Sequence, residues 1–99
     1  MRRVIWSDGA LQDFDSTLFY LAQESERAAT VVADRIEAAI DLLAEMPTGH
    51  PGRVKGTYEK YVRKTSYILA YAVSDRAITI LRIVHASRDW PDDAWPDDD

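Results

Sequence analysis

The run YILAYAV, residues 67 to 73, is apolar almost without interruption. Seven such residues rich in aromatic side chains read as a strand covered on both faces, and a covered strand needs strand neighbours and at least one packed layer. The neighbours follow at once. AITILRIVH (77 to 85) reads as a second strand separated from the first by only SDR, which implies a hairpin, and TYEKYVRK (57 to 64) reads as a third. At the N-terminus RVIW (3 to 6) is a short strand ending at SDG, the punctuation of a helix start with Ser7 or Asp8 as cap.

Between these strands the period changes from two to 3.6. Leu11, Phe14, Leu18 and Leu21 recur at steps of three and four, which predicts a helix with these residues on its core face. Val32, Ile36, Ala39, Ile40 and Leu43 repeat the spacing until Pro47 forbids continuation. PTGHPGRVKG, with two prolines and three glycines in ten residues, is expected to be loop throughout. The predicted order is β-α-α-β-β-β. This is an α+β fold in which an N-terminal strand and a helical hairpin pack on a curved, mainly antiparallel sheet around one core.

A chain of 99 residues supports one such core. Residues 1 to 91 are read as a single domain, and the tail 92 to 99, with five aspartates and a proline, as an acidic disordered segment. With 46% hydrophobic and 29% charged residues the composition is that of a globular protein. There is no cysteine and no apolar run near the length of a membrane span, so the expected location is the cytoplasm, with no membrane association. Asp34, Glu37, Asp41 and Glu45 fall mostly on the solvent face of the second helix and are read as a solvated row, not a metal site. His50 and His85 have no ligand partner at a recognised spacing, and TGHPGRVKG lacks the spacing of a phosphate loop. No metal or cofactor is expected.

Charge is segmented. Residues 1 to 49 hold four Lys/Arg against nine Asp/Glu, residues 50 to 91 eight against three, and residues 92 to 99 five aspartates alone. A basic segment on a chain of net charge −5 suggests a localised contact with phosphates or an acidic partner.

GRVKGTYEKYV, YILAYAV and ILRIVHASRDWP, in this order and spacing, resemble the ParE/RelE family of toxins from bacterial type II toxin-antitoxin systems, over residues 1 to about 91. The resemblance implies a RelE/ParE-like fold and a small growth-inhibiting toxin held in a hetero-oligomer by a cognate antitoxin. It also implies one of two targets. ParE-like members poison DNA gyrase without known nuclease chemistry; RelE-like members cut messenger RNA in the ribosome.

RNA cleavage needs a base, an acid and a cation for the phosphoryl charge. The candidates are Glu59 as base, His85 as acid or base, and Arg63 and Arg88 on phosphate. The alternative is contact, with Tyr58, Tyr61, Arg63, Arg88 and Trp90 as anchors for target or antitoxin, since Arg and aromatic residues are enriched at interface hot spots. VHASRDWP resembles ParE-like members more than the nucleases, and no tyrosine follows Tyr71 as the nucleases would have it. The reading is therefore a gyrase-directed toxin that is not an enzyme. The alternatives are a ribosome-dependent endoribonuclease and a degenerate, non-toxic antitoxin-binding module.

Overall fold

The computed structural model describes residues 1 to 87. Two helices cover one face of a five-stranded sheet of order β1-β5-β4-β3-β2. The strands are β1 (Arg3–Trp6), β2 (His50–Pro51), β3 (Tyr58–Tyr61), β4 (Tyr67–Val73) and β5 (Ala77–His85); the helices are α1 (Asp8–Glu24) and α2 (Glu26–Glu45). Only β1 runs parallel to its neighbour, β5, and every other pairing is antiparallel. The α+β architecture read from the sequence is the one observed, with one addition. His50–Pro51 lies within the stretch expected to be loop, yet pairs with Glu59 and Tyr58 as a two-residue edge strand. Two residues carry no period, so no pattern could announce it.

Serines end and begin the helices. The Ser7 hydroxyl accepts the Ala10 N–H at 3.0 Å and donates to the Leu81 carbonyl at 2.8 Å, capping α1 while tying it to β5. Ser25 serves both helices: its N–H closes α1 on the Leu21 carbonyl, and its hydroxyl accepts the Ala28 N–H. A one-residue junction forces the helices into an antiparallel hairpin.

The core lies between α2 and the sheet, where Ile36, Ile40 and Leu43 meet Leu69, Tyr71, Ile78, Ile80 and Ile83. On α1 the expected face is only partly correct. Phe14 packs against this core with Trp6 edge-on at 5.2 Å, but Leu11 is 47% exposed, and the α1 residue that is fully buried is Ala10. Gly9 and Ala10 explain this, because a Cβ at position 9 would already lie 3.2 Å from Arg82 Cδ. Small residues bring the start of α1 close to β5, and that placement turns Leu11 outward.

Strand β5 contains a bulge. Tyr71 pairs with Ile80 but Ala70 with Arg82, leaving Leu81 without an opposite residue. Beyond it the alternation is reversed, so that Ile83 joins Ile78 and Ile80 on the helix-covered face and His85 follows on the same side. Asp13 of α1 secures the region. Its carboxylate takes Arg82 Nε at 2.7 Å and Nη2 at 3.1 Å and accepts the Ile83 N–H at 2.9 Å.

Asp13→Ala removes three charge-assisted bonds at a largely covered position and leaves the Ile83 N–H without its acceptor. The expected loss is about 2 to 3 kcal/mol, read as a lower urea midpoint at unchanged slope. Tyr71, 1% exposed, supplies a second test. Burial raises its hydroxyl above the ordinary value of 10.0, opposed by the Gly49 N–H and assisted by nearby Tyr58. A folded value above the unfolded one gives stability that is complete below pH 10.0 and lost as pH rises through the folded value. Alkaline unfolding followed by circular dichroism is expected to be shallower in Tyr71→Phe.

Candidate functional site

Alternation from the core residues assigns each candidate to a face of the sheet. Leu69, Tyr71 and Ile83 face the helices, so Ala70 with its partner Glu59, and Ile68 with its partners Tyr61 and Val84, face the other way. His85, two residues after Ile83, is on the helix side opposite Tyr67. The two side chains read as an acid–base pair therefore project from opposite faces of one sheet. The bulge at Leu81 is the cause, because an unbroken β5 would have carried His85 to the face of Glu59.

Glu59 is also occupied. Only 5% exposed, it accepts the Arg53 backbone N–H at 2.8 Å and meets Arg53 Nε at 3.3 Å. The same turn is closed by Gly52 N–H to the Thr57 carbonyl and by the Thr57 hydroxyl to Val54. This carboxylate organises residues 52 to 57, presenting Arg53 and Lys55 on the surface.

His85 stands edge-on to Tyr67, ring centroids 5.3 Å apart. Its Nδ1 accepts the Ser87 N–H at 3.2 Å, with Ser87 Oγ 2.8 Å away. A backbone N–H can only donate, so Nδ1 carries no proton in this arrangement and Nε2 does. Arg63 is exposed on the β3–β4 turn, at the same end of the sheet as His85. Arg88 and Trp90 lie outside the described residues, as does the acidic tail.

Of the tyrosines, Tyr71 is buried and stacks on Tyr58 at 5.8 Å, Tyr67 is half-buried, and Tyr58 and Tyr61 are exposed. On the sheet face away from the helices Ile68, Ala70 and Val84 are all buried, in keeping with the covered strand read from YILAYAV. Further exposed apolar side chains lie on the helices and just past α2, with Phe19 71% exposed and Tyr20, Leu42 and Met46 more than half exposed. No cluster of three metal-ligating side chains occurs among the described residues, and none of their helices is long and apolar enough to cross a membrane.

Known proteins share this fold. The family model for the ParE toxin of type II toxin-antitoxin systems matches residues 4–90. The chain belongs to the ParE toxin family. It is 38% identical over 91 residues to a putative toxin, Y4kP, of Sinorhizobium fredii, covering 91% of this chain and 94% of that protein. It is 37% identical over 89 residues to toxin RelE2 of Caulobacter vibrioides, covering 89% and 99%. Among solved structures, the chromosomal ParDE system of P. aeruginosa superposes with a TM-score of 0.77 at 21% identity, over 88% of this chain and 98% of that one. The RelBE2 toxin-antitoxin complex of Mycobacterium tuberculosis gives 0.56 at 26% identity, over 85% and 96%. The ParE toxin family and the RelE/ParE-like fold are thus the ones the sequence pointed to.

Glu59→Gln separates structure from chemistry, because the amide oxygen still accepts the Arg53 N–H but cannot serve as a base. Stability is expected to stay within about 1 kcal/mol of the parent, whereas Glu59→Ala loses about 1 to 2 kcal/mol and deprotects the Arg53 amide in hydrogen exchange. A folded Glu59→Gln protein that has lost toxicity would restore Glu59 to a chemical role.

Proposed function

We propose that this ParE-family protein is a cytoplasmic toxin that inhibits DNA gyrase by binding it, and that a cognate antitoxin neutralises it in a hetero-oligomer. The observation that carries the reading is the separation of the proton-transfer candidates. Glu59 is engaged by Arg53 on one face, His85 is on the other, and acid–base catalysis of one displacement requires both within hydrogen-bond reach of one substrate. Contact has no such requirement. Tyr58, Tyr61 and Arg63 are exposed on one strand and the turn that follows it, while Arg88 and Trp90 extend the same contact by sequence. A toxin with surfaces like these needs no cofactor.

The antitoxin is the partner that the exposed apolar side chains call for, and the solved M. tuberculosis relative is itself a toxin-antitoxin complex. The ribosome-dependent RNase remains the second reading because one relative is named a RelE toxin. It would use Arg63, His85 and Arg88 without Glu59.

Regulated expression with parallel readouts separates the two. Filamentation and DNA-damage induction with intact messages are expected; rapid cleavage of messages at ribosome-occupied codons would transfer the function to the nuclease reading. In the same assay His85→Ala is expected to retain toxicity, whereas loss of a general acid or base costs a nuclease on the order of 10² to 10⁴ in rate.

A further inference from the structure

Where the hairpin junction of α1 and α2 overhangs the β3–β4 turn and the exit of β5, the fold leaves an open cavity of about 480 Å³. Tyr20, Val32, Ser66, Tyr67, His85 and Ser87 line it, and among its described lining residues there is no carboxylate. The wall is rigid on the sheet side, where the Ala86 N–H donates to the Ser66 carbonyl at 2.7 Å and Tyr67 meets His85 edge-on. Because Ser87 holds Nδ1, the imidazole offers Nε2–H as a donor. A hydrogen-bond acceptor and a flat ring are the ligand features that suit an imidazole N–H and tyrosine side chains.

Cationic residues adjoin the lining in the chain. Arg63 and Lys64 are exposed immediately before Thr65 and Ser66, and Arg35, one turn beyond Val32, donates from its guanidinium to the Lys64 carbonyl at 3.0 Å. Lys64 itself adopts φ 59°, a left-handed conformation in which glycine is the usual residue. The segments that border the cavity thus carry Arg35, Arg63 and Lys64, while its described lining has no carboxylate.

We propose that this cavity binds a free nucleoside monophosphate. The base would lie against Tyr67 and Tyr20 with an acceptor edge on His85, and the phosphate would sit on the rim of Arg35, Arg63 and Lys64. The volume is within the range of roughly 300 to 1,000 Å³ typical of small-molecule sites. Aromatic faces take any base, while guanidinium groups suit phosphate oxygens. The site is on the helix side of the sheet, away from Glu59 and Tyr61.

The test is a titration of the isotopically labelled full chain with AMP, adenosine and inorganic phosphate, following the Ser66, Tyr67 and Ser87 amides. AMP is expected to saturate with a dissociation constant of about 0.1 to 1 mM, with adenosine and phosphate each about tenfold weaker or more. Arg63→Ala and Tyr20→Ala, both at exposed positions, are expected to weaken AMP roughly threefold to tenfold at unchanged melting temperature. Arg35→Ala repeats the rim test should either variant unfold. Shifts reproduced by phosphate alone, or indifference of AMP to all three substitutions, would overturn the site. So would a single-stranded oligonucleotide that binds far more tightly than AMP with shifts spread beyond the cavity, which marks a strand-binding surface instead.

Discussion

Asp13 holds the helical layer and the sheet in their relative position. Strand β1 stops pairing with β5 at Trp6, opposite Ile80, and past the Ser7 contact with the Leu81 carbonyl the β5 edge has no strand neighbour among the described residues. Asp13 replaces the missing strand by accepting the Ile83 N–H, and with both oxygens it also takes Arg82, whose ordinary charge the contact reinforces. The carboxylate lies one turn past Ala10, where the helix is already pressed on the strand by its small residues. One side chain thus joins the first helix, the bulge and the last strand.

Most of the scaffold was legible because it is periodic. RVIW, YILAYAV and AITILRIVH coincide with β1, β4 and β5, and the apolar spacing of α2 predicts Ile36, Ile40 and Leu43 as core. What the sequence hid depends on single contacts. The bulge at Leu81 leaves no trace in composition, yet it decides which face His85 occupies. The tie between Glu59 and Arg53 spans six residues of turn and has no motif. Leu11 fits the helical period of a core residue but is displaced by the closeness that Gly9 and Ala10 allow. A pattern reports which elements exist; side-chain pairs settle where they point.

The same contacts bear on the division between chemistry and contact within the ParE toxin family. A sheet that spends the buried Glu59 carboxylate on a turn and the His85 imidazole on a serine uses both groups for shape. The groups left outward are aromatic and cationic, on β3 and the turn that follows. Surfaces of that composition suit recognition, and recognition can change its target without altering the scaffold beneath.

The shortness of β2 limits how any extended segment can join this sheet. The β2 edge offers two residues, and Pro51 has no N–H to donate. At the opposite border Arg2 already gives its N–H to the Ala44 carbonyl, and past Trp6 the Ile83 N–H belongs to Asp13. Among the described residues Arg3–Trp6 and the end of β3 beyond Glu59 are left with outward backbone groups for ladder pairing. An added strand would find only short runs of free edge among the described residues, the kind of border that disfavours edge-to-edge aggregation.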